Sequence, residues 1–240
     1  MPRQFDHDLN GLKDRLLTMG ALAEQMVHAT TTTLVEWDMS LFEPVAEMEN
    51  KVDQMQKDID EETVRVISVY TPVASDLRFL LMVTRMTTAI ERIGDQAMNI
   101  GFYAKTMLKH PPLKPLIDLP RMADMAAKML GEALDAFTHA SPEAAVAVIK
   151  KDDRVDDLND QLFRELITYV MGDPAVMTQV LELVLISRAY ERIADHAVSI
   201  AKDVVYIVQG KDIRHATGTD DLTEGSTARE GTSRDSDKQP

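Results

Sequence analysis

One heptapeptide occurs twice in this chain. Glu91-Arg92-Ile93-Gly94-Asp95-Gln96-Ala97 returns as Glu191-Arg192-Ile193-Ala194-Asp195-His196-Ala197, 100 residues later. In a chain of 240 residues such a duplication implies two structural repeats. Within each copy the carboxylates, Glu91 with Asp95 and Glu191 with Asp195, stand four residues apart. Side chains at that spacing share one face of a helix. The repeat therefore presents the same acidic surface twice.

Apolar residues three and four apart extend that helix in both copies. Phe79, Val83, Met86, Ile90, Ile93, Ala97 and Ile100 run in step, which predicts a helix over about residues 73–108. Leu183, Ile186, Tyr190, Ile193, Ala197, Ile200 and Val204 predict its counterpart over about 175–208. Leu9, Leu12, Leu16, Met19, Ala23 and Met26 give a first helix packed along one seam. Val45, Met48, Val52, Met55, Ile59 and Val66 give a second over about 41–70, which Thr71-Pro72 breaks. Four prolines between His110 and Pro120 stop any helix from crossing that stretch. A shorter helix follows over about 121–139. Ser141-Pro142-Glu143 then reads as N-cap, first-turn proline and first-turn acid of a helix reaching about residue 170. Gly172-Asp173-Pro174 ends that helix and caps the next.

Composition agrees with an all-α fold. Aromatics are few, and no strand-like alternation of Val, Thr and Tyr occurs. Helix order predicts two tandem three-helix bundles, with neighbours antiparallel across short turns and the bundles end to end or side by side. The expected boundaries are residues 1–110 for the first repeat, 111–120 for a proline-rich linker and 121–210 for the second repeat. Residues 211–240 are polar, with almost nothing to bury, and are expected to be a disordered tail.

The duplicated acids have company. Glu49 and Asp53 lie four apart in the second helix, and Asp152 and Asp156 lie four apart in the fifth. Asp53 is 18 residues before the turn at Thr71, and Glu91 is 20 after it. At about 1.5 Å per residue both lie roughly 27–30 Å from the turn, so antiparallel pairing puts them level. In the second repeat Asp156 is 17 residues before Asp173, and Glu191 is 18 after it. Four carboxylates gathered in this way repel one another unless a cation lies between them. The candidate metal ligands are thus Glu49, Asp53, Glu91 and Asp95, then Asp152, Asp156, Glu191 and Asp195. Oxygen donors suit Mg²⁺, Ca²⁺, Mn²⁺ or iron; Zn²⁺ is the weaker match without sulfur ligands. Because the apolar stripes pass through Ile90 and Ile93, the acids are expected at a groove edge that water reaches. Arg92 and Arg192 could instead neutralise them as ion pairs. Gly94, opposite Ala194, reads as a site of close helix packing, His196 as a surface histidine, and the fifteen methionines as core filling.

A formal net charge of −14 argues against general nucleic-acid binding and against an anionic membrane surface. With no cysteine there is no disulfide framework and no thiolate metal site. The opening MPRQFDHDLNGL has no apolar signal core, and the longest apolar runs fall far short of a membrane span. A cytoplasmic protein is expected.

The segments Pro72-Val73-Ala74-Ser75-Asp76-Leu77-Arg78, both copies of the heptapeptide, and the ending from Val205 to His215 together resemble the PhoU family, in the right order and over about residues 5–215. That resemblance implies two three-helix bundles whose acid-x-x-x-acid motifs hold metal ions, on the eight acids named above. Asn99 matches the family's asparagine after the first motif; Ser199 departs from it in the second, and Val176-Met177-Thr178 replaces Asp-Leu-Arg. It also implies a regulator rather than an enzyme: a homodimeric adaptor between the ATPase subunit of a phosphate ABC transporter and a sensor histidine kinase, repressing the phosphate-starvation response. No organic cofactor is implied. The rival reading is a carboxylate-bridged iron enzyme or iron store. Such a bundle needs Glu-x-x-His on two helices, but Gly94 and Ala194 occupy the positions three after Glu91 and Glu191.

Overall fold

The computed structural model of the protein describes residues 2–213. Among them, all regular structure is helical: α1 (Pro2–Glu36), α2 (Glu43–Tyr70), α3 (Ala74–Met107), α4 (Asp118–Thr138), α5 (Pro142–Ile149), α6 (Asp152–Gly172) and α7 (Met177–Gln209), with short 3₁₀ turns at Met39–Phe42 and Pro174–Val176.

The breaks follow local chemistry. Thr71 takes the left-handed conformation at the end of α2, its N–H bonding to Ile67 O, and Pro72 prevents further helix. Gly210 caps α7 in the same way at φ 68°, a conformation that glycine adopts without strain. α4 starts at Asp118, three residues earlier than its apolar pattern suggests, because proline at position 120 falls within the first turn, where no N–H is needed. Ser141 Oγ accepts from the N–H of Ala144 at 3.2 Å and so opens α5.

The helix expected from Ser141 to about residue 170 is in fact two. α5 ends at Ile149, and Lys150 and Lys151 form a tight turn in which the N–H of Lys151 bonds to Val148 O at 2.9 Å. Both residues keep right-handed helical backbone angles. The buried series Ala145, Val148, Val155, Leu158, Leu162 therefore stays in phase across the bend, and hydrophobic spacing alone cannot reveal it. The bend places Asp152 at the first position of α6.

The two repeats pack side by side. α3 against α7 is the most extensive helix contact, followed by α4 against α7 and α1 against α3. α2 covers α1 and α3 on one flank; α6 and α5 cover α7 and α4 on the other. The buried apolar side chains form one continuous core running through both repeats. Within it, the hydroxyls of Thr31 on α1 and Tyr190 on α7 are hydrogen-bonded at 2.9 Å. Phe79 on α3 and Phe137 on α4 stack with ring centres 5.8 Å apart. Arg85 on α3 pairs with the buried Asp203 on α7 at 3.3 Å.

Two smaller expectations change. An alanine would fit at Gly94, whose added Cβ would lie 3.5 Å from the nearest neighbour, Met26. The close approaches are instead at Gly101, where a Cβ would fall 1.9 Å from the Phe42 ring, and at Gly20, where it would fall 2.2 Å from Leu134. Ile213, grouped with the polar tail by composition, is 2 % exposed and packs into the core. The rest of the expected tail, 214–240, lies outside the described residues. No helix among those described is long and apolar enough to cross a membrane.

Candidate metal centres

Each acidic cluster is built where two antiparallel helices run side by side, α2 with α3 and α6 with α7. The buried stripes, Val52 and Ile59 against Ile90 and Ile93 in the first repeat, fix the register. The acids flank those stripes. In this register the four carboxylates of each repeat come within electrostatic reach of one another, as the similar counts to each turn predict.

In the first repeat, Glu49 is raised above the usual carboxylate range by burial and then by the charges of Asp53 and Asp95. Burial and Asp95 also raise Glu91, with smaller contributions from Asp53 and Glu49. Arg92 partly offsets this cluster. Its Nη1 donates to Asp95 Oδ2 at 2.9 Å, and its Nε lies 3.4 Å from Glu91 Oε2. The ion pairing allowed for in the sequence is present here.

In the second repeat Arg192 forms no such bridge among the described residues. Asp152 is pushed up to about 7 by burial and by the charges of Asp156, one turn along α6, and Asp195 on α7. Its Oδ1 is buried without a hydrogen-bond partner. Burial followed by Asp195 raises Asp156, and burial followed by Asp156 raises Glu191. Desolvation raises Asp195 against the opposing charges of His196, Lys202 and Arg192. One neutral brace is present: Asn159 Nδ2 donates to Glu191 Oε2 at 2.6 Å, and Ser187 Oγ donates to Asn159 Oδ1 at 2.7 Å. Neither Asn159 nor Ser187 stood out in the sequence, although Asn159 follows Asp156 by three residues and shares its face.

The two centres thus differ in charge compensation. An arginine spans one; the other retains an unpartnered buried carboxylate oxygen. All donors are oxygens, which fits a hard cation, and the orphaned Asp152 Oδ1 is an acceptor that such a cation would satisfy. Among the described residues no three His, Asp or Glu side chains already stand in an arrangement that holds a metal. The acids are grouped by fours rather than clamped. His196, read as a surface residue, is instead half-buried in the α3–α7 seam, where burial lowers its pKa against the opposing charge of Asp195.

Known proteins resemble the chain over most of its length. The PhoU domain matches twice, over residues 16–104 and 119–204. The chain is 35% identical over 214 residues to a protein of Pseudomonas aeruginosa named phosphate-specific transport system accessory protein PhoU homolog, covering 89% of this chain and 88% of that one. The crystal structure of PhoU from Pseudomonas aeruginosa superposes with a TM-score of 0.83 at 34% identity, covering 86% of this chain and 100% of that one. The phosphate transport system regulatory protein PhoU from Streptococcus pneumoniae superposes with a TM-score of 0.81 at 25% identity, covering 87% and 98%.

Proposed function

The chain belongs to the PhoU family, and from that premise we propose that it regulates inorganic phosphate uptake as an accessory protein of a phosphate transport system. It acts in the cytoplasm as a homodimer. It couples the ATPase subunit of a phosphate ABC transporter to a sensor histidine kinase, and represses the phosphate-starvation response while phosphate is plentiful. The mechanism is protein–protein contact, not catalysis. The observation that carries this reading is the match to named phosphate-transport accessory and regulatory proteins over nearly the whole folded chain, in both repeats.

The acidic centres serve that role as cation sites. Asp152 and Asp156 from α6, with Glu191 and Asp195 from α7, would hold one; Glu49, Asp53, Glu91 and Asp95 would hold the other. A bound Mg²⁺, Mn²⁺, Zn²⁺ or iron ion supplies neutralising charge. The chain's own residues do the rest. Asn159 fixes the Glu191 carboxylate, and Arg92 must give up Glu91 and Asp95 for the first centre to bind. The surface charge seen by a partner then depends on occupancy. An iron enzyme is not favoured, since Gly94 and Ala194 stand where the histidines of that chemistry belong.

The deciding experiment is deletion of the gene in its host. Phosphate-starvation genes should then stay on in rich phosphate and fall silent when the intact gene is restored. Unchanged expression in the deletion strain, in a genome with no second copy, would refute the regulatory reading. Loss of co-purification with the transporter ATPase in the Asp152→Ala, Asp156→Ala double variant would link the acids to partner contact.

A further inference from the structure

A shift of 103 residues superimposes α1 and α2 on α4 and α6, carrying Glu49 and Asp53 onto Asp152 and Asp156. The same shift relates two clefts. One lies between α1 and α2, with a volume of about 470 Å³. The other lies between α4 and α6, with a volume of about 500 Å³. The repeat thus supplies its own control: equivalent position, nearly equal size, different chemistry.

The apolar floor is kept. Leu22 and Met55 in the first cleft become Met125 and Leu158 in the second. The rim is not kept. Thr18 becomes Arg121 and Gln25 becomes Lys128, while Lys51 becomes Arg154. Met48 becomes Lys151, which pairs with Glu132. Among the described residues Arg121, Lys128 and Arg154 enter no ion pair. Three cations around one cleft thus stand without an ion pair among the described residues, in a chain that carries 40 acidic and 26 basic residues. Gathered on one cleft and absent from its counterpart, they give it a positive potential that suits an anionic ligand. Two carboxylates and an amide also line the cleft, Asp124, Asp157 and Gln161. A bare inorganic anion would be repelled by those acids and would leave the floor unused.

We propose that the α4–α6 cleft binds a nucleoside di- or triphosphate. Arg121, Lys128 and Arg154 meet the phosphates, with the guanidinium groups suited to paired hydrogen bonds to phosphate oxygens. The base lies over Met125 and Leu158, where a thioether against an aromatic ring is favourable. Asp124, Asp157 and Gln161 accept from ribose hydroxyls or an exocyclic amine. A cleft of this volume falls in the range of about 300–1,000 Å³ usual for small-molecule sites. At about 100° per residue, Arg154, Asp157, Leu158 and Gln161 lie on the opposite side of α6 from Asp152 and Asp156. The site is therefore separate from the acidic centre, and the inference does not rest on the role in phosphate uptake.

The test is calorimetric titration of the full chain with ATP, tripolyphosphate and orthophosphate, in chelator so that no cation bridges ligand to the acidic centres. ATP should bind at one site per chain, and more tightly than either inorganic anion. The Arg121→Gln, Arg154→Gln double variant should weaken ATP by about tenfold or more, the scale of losing charge-assisted bonds to phosphate. Lys51→Gln, in the equivalent cleft, should leave binding unchanged. Thermal unfolding confirms that each variant is folded, and Lys128→Gln alone provides a milder variant should the double one fail. Absence of ATP binding overturns the proposal. So does tripolyphosphate binding as tightly as ATP, or affinity unmoved by the cleft variants. Binding of a polyglutamate peptide at this cleft in place of ATP would also overturn it, and would make the cleft a docking groove for an acidic partner.

Discussion

Asp152→Asn should stabilise the cation-free protein, and do so more at pH 8 than at pH 5. In the folded state burial and the charges of Asp156 and Asp195 push this carboxyl from 3.8 up to about 7. The unfolded chain ionises it near its ordinary value. Below about pH 4 both states hold the proton, and the group costs the fold nothing. As the pH rises from about 4 towards 7 the unfolded chain ionises first, so stability is lost across that window, and the loss is complete above it. Three units correspond to a ceiling of about 4 kcal/mol. Solvent still reaches much of the group, and screening reduces the expected value to about 1–2 kcal/mol. For a protein of this size that is a rise in Tm of roughly 2–8 °C for the variant at pH 8. The gain should shrink at pH 5, where only part of the window has been crossed. The assay is thermal unfolding of wild type and variant in chelator at both values. The buried Oδ1 position remains unsatisfied in either protein, so a gain independent of pH would refute the electrostatic reasoning, as would a loss at pH 8. Adding Mn²⁺ should reverse the order, because wild type alone keeps the full set of oxygen donors.

Arg92→Gln should lower stability in chelator only slightly, by under about 1 kcal/mol for so exposed a pair, yet tighten Mn²⁺ binding at the first centre by freeing Glu91 and Asp95; unchanged Mn²⁺ affinity would show that Arg92 does not compete with the cation. Tyr190→Phe should cost about 1 kcal/mol in urea unfolding, because it removes the hydrogen bond between the buried Tyr190 hydroxyl and the half-buried Thr31 hydroxyl, which keeps only its bond to Val27 O. Gly101→Ala should cost about 1–3 kcal/mol in the same assay, since the new methyl meets the Phe42 ring; an unchanged midpoint would mean that the ring moves aside freely.

The parts of this molecule that were legible in the sequence are those set by the rigid geometry of the helix. Rise per residue is nearly constant, so counting to Thr71 and to Asp173 brought Glu91 level with Asp53 and Glu191 level with Asp156, as the charge interactions among them show. The stripes through Ile93 and Ile193 were readable for the same reason. The bend at Lys150 was not, because its residues stay close to helical backbone angles and leave the apolar phase unbroken. Nor could spacing decide between bundles placed end to end and side by side. That choice depends on how well the α3 and α7 surfaces fit, of which Ala97 and Ala197 are only a hint. Compensation at the acids was open in the same way. Arg92 and Arg192 occupy equivalent places in the heptapeptide, yet among the described residues only Arg92 bridges its neighbours, because a side chain's rotamer follows its surroundings and not its position in a motif. The Asn159 brace depends on Ser187 from another helix, a contact with no local signature.

The division of labour between core and margin explains how such acidic clusters persist. Two groups of mutually repelling carboxylates destabilise a fold, and here nothing apolar depends on them. The core shared by the two repeats is built of buried aliphatic residues of both, Ile90, Ile93 and Ile100 from one, Ile193, Ala197 and Ile200 from the other. Charge at the margins can therefore change without opening that core. The margins are nonetheless electrically joined. His196 on α7 feels Asp195 and Arg192 from its own repeat, and Arg92 and Asp95 from the other. A cation that displaced Arg92 from Asp95 would alter the field at His196, and through it at Asp195, with no movement of the core. One continuous core carrying two coupled acidic margins lets charge at the surface change while the packing stays fixed, which is what the proposed regulation through contact would require.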